Sequence, residues 1–170
     1  MNRNKTVIGV ISDTHGLLRP EALHVLRNSA HIIHAGDIGD PEILSRLEEI
    51  APVSAVRGNN DREAWARRIP VTQRFEIYGK KFFVIHDLHE MKIDPSAQGI
   101  SIVISGHSHQ PKIERHNGVL FLNPGSAGPR RFRLPITVAL LYLKEEDIRA
   151  RIIDISKARR LPNLDRRSRQ

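Results

Sequence analysis

Residues Thr6-Val7-Ile8-Gly9-Val10-Ile11 form an unbroken run of β-branched and small apolar positions that stops abruptly at Ser12-Asp13-Thr14-His15-Gly16. A run without polar alternation suits a strand buried on both faces, so the sheet that holds it must be covered on each side. The following segment supports a parallel arrangement. Residues 20–28 carry Ala22, Leu23 and Leu26 at helical spacing, with Pro20 suited to a first turn. Residues 31–35 read as a second short strand. Asp40-Pro41-Glu42 reads as cap, first position and acidic first turn of a helix reaching about Glu49. Residues 53–56 supply a third strand. The order βαβαβ predicts an α/β class, with ligand loops gathered at the carboxyl ends of the strands.

After Arg74 the pattern changes to hairpins. Residues 74–77 and 81–86 flank a turn at Tyr78-Gly79, and 100–105 is another apolar run. Residues 112–116 and 119–123 are joined by Asn117-Gly118, a strong hairpin signal. Residues 135–143 and 148–155 make a last pair. So many strands with so few helices predict two sheets packed face to face, with helices outside. No internal repeat or low-complexity linker interrupts the chain, so residues 1–156 are expected to form one domain.

Composition narrows the chemistry. A chain of 170 residues with 39% hydrophobic and 27% charged positions has the balance of one compact domain. It contains no cysteine, which excludes disulfide scaffolds, thiolate zinc sites and cysteine nucleophiles together. No apolar run approaches the roughly 20 residues of a membrane helix. The apolar stretch near the N-terminus is too short for a signal peptide, so a cytoplasmic protein without a membrane partner is expected. Of the net charge of +8, residues 157–170 carry +5, from six basic residues and one acid. The basic excess is therefore mostly an expected mobile tail, and it does not by itself favour a nucleic-acid partner.

Polar residues directly follow the predicted strands. They are Ser12-Asp13-Thr14-His15-Gly16, Gly36-Asp37, Gly58-Asn59-Asn60-Asp61, His86-Asp87, Gly106-His107-Ser108-His109 and Asn123-Pro124-Gly125-Ser126. Five strand ends thus send Asp13, His15, Asp37, Asn59, His86, His107 and His109 towards one edge of the sheets. All offer oxygen or imidazole nitrogen, which suits a divalent ion such as manganese, zinc, iron or nickel. In Asp13-x-His15 and His107-x-His109, a period of two in extended chain would aim both side chains at one locus. Gly16 and Gly106 would permit the sharp turns beside them. Seven ligands are too many for one transition metal and suit two, with one carboxylate shared. Two ions about 3.5–4 Å apart are a standard device for in-line phosphoryl displacement.

In this order, Asp13-x-His15, Gly36-Asp37, Gly58-Asn59-x-Asp61, His86 and Gly106-His107-x-His109 resemble the calcineurin-like metallophosphoesterases. The short chain and the turn at Asn123-Pro124-Gly125-Ser126 are most similar to the YfcE-like phosphodiesterases. The resemblance runs from about Val7 to Ser126. It implies the metallo-dependent phosphatase fold, a four-layer αββα sandwich of two mixed β-sheets flanked by helices. It implies that Asp13, His15, Asp37 and His109 hold a first ion, and that Asp37 bridges to a second completed by Asn59, His86 and His107. The cofactors would be two divalent ions, manganese first, with nickel, zinc, iron or cobalt as substitutes. The implied reaction is hydrolysis of a phosphate ester, a diester before a monoester, by in-line attack of a hydroxide bridging the ions. Asp37, Asn59 and Asn60 are the expected catalytic residues, with the two asparagines placed to hydrogen-bond the phosphoryl oxygens.

Two positions depart from the family pattern. Asn60 stands where many members have a histidine, and an amide cannot act as an acid near neutral pH. Asp87 follows His86 where glycine is usual, although Asp tolerates left-handed backbone better than most residues. Of the remaining histidines, His24, His89 and His116 have ordinary structural readings, and His31 and His34 are secondary candidates flanking the second strand. The turn at Asn123-Pro124-Gly125-Ser126 is either a plain turn or a neighbour of the metals. Arg130, Arg131 and Arg133 read as a solvated run, with a phosphate clamp as the sharper alternative. Two other functions fit the same fold: a protein-binding scaffold like the retromer small subunit, and a nuclease using the same metal site. A homo-oligomer is left open.

Overall fold

The computed structural model describes residues 5–156, so the basic segment at 157–170 lies outside the described residues. Strand β1 (Thr6–Ile11) leads through helix α1 (Pro20–Leu26) to β2 (His31–His34), and helix α2 (Pro41–Glu48) leads to β3 (Val53–Ala55). Three hairpins follow in the second half: β4 (Thr72–Ile77) with β5 (Lys80–Ile85), β7 (Lys112–His116) with β8 (Val119–Asn123), and β9 (Thr137–Lys144) with β10 (Asp147–Asp154). The short β6 (Ile102–Ile104) lies between the first two.

These strands form two five-stranded mixed sheets, ordered β10-β9-β1-β2-β3 and β4-β5-β6-β8-β7. In the first, β1, β2 and β3 are parallel and β9 runs antiparallel to β1. In the second, β5, β6 and β8 are parallel at the centre, while β4 and β7 are antiparallel edges. Each sheet thus delivers the carboxyl ends of its parallel strands in one direction, which is where the polar motifs sit.

The β1 run explains the layering. Ile8 and Val10 point into a core shared with Ile33, Phe82, Val84, Ile102, Ile104 and Leu141, all nearly inaccessible to solvent. Ile11 and Ile32 face the other way, against Ala22 and Leu26 of α1 and Ile43 and Leu47 of α2. Burying one such aliphatic side chain contributes about 1.5–3 kcal/mol, so a sheet with apolar residues on both faces is stable only as an inner layer. The α2 start behaves as its sequence predicts: Asp40 accepts a hydrogen bond from Glu42 N and Pro41 occupies the first turn.

The expected two-sheet sandwich is therefore present, with element ends that differ by at most two residues. The run at 100–105 keeps only Ile102–Ile104 as strand, and α1 stops at Leu26 rather than Asn28. Two short 3-10 helices, Ala64–Arg68 and Leu88–Glu90, were not expected, because a single turn carries no hydrophobic period. The outer layer over the second sheet is slender. Met91 and Ile93, in the segment after Leu88–Glu90, pack there against Phe83, Ile85 and Val103. Among the described residues no helix is long and apolar enough to cross a membrane.

Candidate metal centre

Five of the seven expected ligands sit in left-handed backbone: Asp13 (φ 53°), His15 (45°), Asp37 (53°), His107 (68°) and His109 (58°). This conformation is uncommon for residues with a Cβ and costs about 1–3 kcal/mol each, so it persists only where the surroundings impose it. The period-two expectation is corrected by this finding. Asp13 and His15 converge because each turns sharply, not because the segment is extended. The two histidines of His107-x-His109 part company: His109 turns to Asp13 and His107 turns towards Asn59.

The turns are held by their neighbours. The Asp13 N–H donates to Gly36 O, and the His15 N–H to Asp37 O, so the loops after β1 and β2 are stitched together. The Asp61 carboxylate accepts from the N–H groups of Ile38 (3.1 Å), Gly39 (3.0 Å) and Gly58 (2.8 Å), tying the β2 loop to the β3 loop. Glycine is needed at Gly58 and Gly106 for close approach, since a Cβ there would collide with Asp37 Oδ1 and Ser12 Oγ respectively. His34 is fully buried, and its ring joins the β1 loop to the β2 loop. Its Nδ1 accepts from Gly36 N (3.2 Å), which leaves the proton on Nε2 to reach Thr14 Oγ1 at 2.9 Å.

At the centre the two carboxylates are used asymmetrically. Asp13 Oδ2 accepts from Ser12 Oγ (2.6 Å) and from the His107 N–H (3.1 Å). Its Oδ1 is buried without a hydrogen-bond partner, although His109 Nε2 lies at 3.1 Å, His15 Nε2 at 3.8 Å and His86 Nε2 at 3.9 Å. Asp37 Oδ2 faces His86 Nε2 at 3.3 Å on one side and His15 Nε2 at 3.8 Å on the other. Two triads, Asp13-His15-His109 and Asp13-Asp37-His86, each bring their ligand atoms within 4.8 Å of one another. Asn59 and His107 stand at the solvent side of these triads. Asn59 Oδ1 is 3.2 Å from His107 Nδ1, and the His107 ring is edge-on to His86 at 5.3 Å.

These residues fit a divalent cation. His86 Nδ1 is 2.7 Å from Ala35 O, and a carbonyl can only accept, so the neutral ring carries its proton there. Its Nε2 lone pair is left facing Asp37 and Asp13, as in metal-binding histidines whose second nitrogen is tied to a carbonyl. His86 Nε2 and Asp13 Oδ1 are both buried and unpartnered, 3.9 Å apart. Buried polar atoms without partners are costly, and a cation between them would satisfy the carboxylate and imidazole lone pairs facing it.

Electrostatics agree. Burial opposes the charge of both carboxylates, yet the contact with His109 and the charge of His86 hold the Asp13 pKa below the usual range. Contacts with His86 and two hydrogen bonds from Asn60 likewise hold the Asp37 pKa below the usual carboxylate range. His86 is raised, because Asp37 and Asp13 outweigh its burial, so the site attracts positive charge as a proton or as a metal. His15 is lowered by burial against the pull of Asp37 and Asp13, and the Arg131 charge adds to the lowering.

Several positions differ from expectation. The Asn60 side chain, though exposed, is turned to Asp37: its Nδ2 donates to Asp37 Oδ2 at 2.8 Å, and its backbone N–H to Asp37 Oδ1 at 2.9 Å. Asp87 has φ −104°, so its tolerance of left-handed backbone is not used. Its carboxylate lies 3.6 Å from His107 Nε2 and accepts from His89 N. Beside His107 opens a hollow of about 260 Å³, lined by Asp87, His89, Gln110, Lys112 and Phe121 among others. The Asn123-Pro124-Gly125-Ser126 turn is no plain turn, since Asn123 Nδ2 donates to Gly106 O and Ser126 Oγ to Asp13 O. Of the secondary histidines, His34 reaches the ligand loops, and His31 is bonded to Ser54 instead. The supporting roles of Asp61 and Ser12 were not expected. Their only sequence signal is a polar group within two residues of a ligand.

Comparison with known proteins gives a consistent picture. The domain described as the calcineurin-like phosphoesterase superfamily domain matches residues 7–146. A probable metallophosphoesterase of Methanothermobacter thermautotrophicus is 38% identical over 159 residues, covering 86% of this chain and 91% of the relative. The solved structure of an archaeal phosphodiesterase is 26% identical with a TM-score of 0.72, over 87% of this chain and all of the other. Vacuolar protein sorting 29 of Cryptosporidium parvum has a TM-score of 0.70 over 88% of this chain and 97% of its own, at 18% identity, which is a likeness of fold alone.

Proposed function

Because the chain belongs to the calcineurin-like phosphoesterase superfamily, we propose that it is a phosphodiesterase working with two divalent ions, manganese in the first instance. In this reading Asp13, His15, Asp37 and His109 hold one ion, Asn59, His86 and His107 complete the second, and Asp37 is shared. The observation that carries it is Asp13 Oδ1, buried and unpartnered among three imidazole nitrogens at 3.1–3.9 Å.

Bound ions would supply Lewis acidity, lowering the pKa of water and offsetting charge at the phosphoryl oxygens for an in-line displacement. The chain's own residues keep that centre in order. Ser12 and the His107 N–H fix one oxygen of Asp13, so that the other points inward. Ala35 O fixes the His86 ring with Nε2 towards Asp37. Asn60 holds Asp37 through both carboxylate oxygens. An amide so engaged cannot protonate a leaving alkoxide, so the best substrates are esters of acidic alcohols.

The experiment is turnover of bis(p-nitrophenyl) phosphate by chelator-stripped protein, with manganese, nickel, zinc and magnesium each added back. Loss of turnover on stripping, with recovery on adding manganese, is expected. Turnover that survives stripping would contradict the reading.

A further inference from the structure

The arginines at 130, 131 and 133 have no part in the centre described above, yet their loop is built onto it. Its base is fastened to the β1 loop: the Ala127 N–H donates to Ser12 O, Ser126 Oγ to Asp13 O, and the Arg19 guanidinium to Gly128 O at 3.2 Å. From Gly128 the chain can reach at most about 11 Å by Arg131. A Cβ at Gly128 would lie 2.4 Å from Thr14 O and 2.5 Å from Asp13 O, so the start of that span is held against the ligand loop itself. All five residues at 129–133 are exposed.

Phe132 is the anomaly. It lies 92% exposed at the tip, the most exposed large apolar side chain among the described residues. The Leu134 N–H donates to Arg131 O at 3.2 Å, which makes residues 131–134 a β-turn, with Phe132 at its second position and φ 52°. That position with positive φ favours Gly, Asn or Asp. Phenylalanine there gains nothing from burial and sits in left-handed backbone that a residue with a Cβ disfavours. A guanidinium matches phosphoryl oxygens in geometry and charge, and an exposed aromatic ring offers a sequence-tolerant stacking face for a base.

We propose that the 129–134 loop is the substrate-recognition arm, in which Arg131 holds a phosphoryl oxygen and Phe132 stacks on a nucleobase, so that the substrates are nucleotide esters. This rests on the phosphodiesterase reading above. Phe132 selects by the ring on the retained alcohol, whereas Arg131 serves every ester alike.

The test compares two esters with the same leaving group, thymidine 5′-(p-nitrophenyl phosphate) and methyl p-nitrophenyl phosphate. The wild type should prefer the thymidine ester in kcat/KM, and Phe132→Ala should cut that preference about five- to one-hundredfold, the usual range for a lost base–aromatic stack. Arg131→Gln should lower kcat/KM for both esters. Calorimetric titration with thymidine 5′-monophosphate should show the same dependence on Phe132. A preference unchanged in Phe132→Ala overturns the proposal, as would be seen if Phe132 instead anchors a protein partner. So does an Arg131→Gln variant as active on both esters as the wild type. If neither ester is hydrolysed, the phosphodiesterase reading falls, and Phe132-dependent binding of the nucleotide then decides the arm independently: its presence upholds recognition and its absence overturns it.

Discussion

Asn60 holds Asp37 by both carboxylate oxygens, with its backbone N–H on Oδ1 at 2.9 Å and its side-chain amide on Oδ2 at 2.8 Å. Asp37 Oδ2 is also the oxygen nearest His86 and His15. Asn60 is thus bonded to the carboxylate proposed above as shared by the two ions.

Asn60→Ala keeps the backbone bond and loses the amide bond. Removing a hydrogen-bond partner of a ligating group typically lowers metal affinity about 10–100-fold. Calorimetric titration of manganese into stripped wild type and variant should show a loss of that size, with little change in thermal stability of the stripped proteins. Equal affinities would remove Asn60 from the site.

Leaving-group dependence tests the missing acid. A positioned general acid contributes about 10²–10⁴-fold when the departing alkoxide is basic, and little when it is an acidic aryloxide. The wild type should therefore show kcat/KM falling steeply across a graded series from nitrophenyl to alkyl diesters. A flat series would mean that another residue supplies the proton, and His89, beside Asp87, would be the first to replace.

His34 predicts an acid-linked loss of stability. Burial lowers its pKa to about 4 from an ordinary 6.5, and its two hydrogen bonds need the neutral ring. As pH falls below 6.5 the unfolded chain binds a proton that the folded chain refuses, so stability is full above 6.5 and declines until about pH 4. The total is about 3.5 kcal/mol at roughly 1.4 kcal/mol per pH unit. Urea midpoints of wild type and His34→Gln, taken near pH 7.5 and near pH 5, check this. The variant should start lower and lose less on acidification; parallel losses would contradict it.

The first third was legible because its strands are continuous aliphatic runs and its helices carry their own caps, as at Asp40-Pro41. The hairpins were legible from Asn117-Gly118 and Tyr78-Gly79, which supply the positive φ a tight turn requires. The grouping of Asp13, His15, Asp37, His86 and His109 was legible because parallel strands in each sheet end on one edge. What brings them together was not. Left-handed backbone at Asp13 and His15 is imposed by hydrogen bonds to Gly36, Asp37 and Ile38, more than twenty residues away. Nor could the sequence reveal which way Asn60 turns, since an asparagine donates equally well to a substrate or to a neighbouring carboxylate. The same holds for Asp61, whose three backbone partners come from two different loops.

The most direct measurement is the number of manganese ions retained per chain, by elemental analysis after loading and gel filtration, in wild type and in Asp37→Asn. Asp37 is the carboxylate assigned to both ions, and its amide counterpart offers no negative charge to either. Two ions per chain are expected in the wild type and fewer than one in the variant, with diester turnover lost in parallel. Two firmly held ions and near-normal turnover in Asp37→Asn would contradict that assignment.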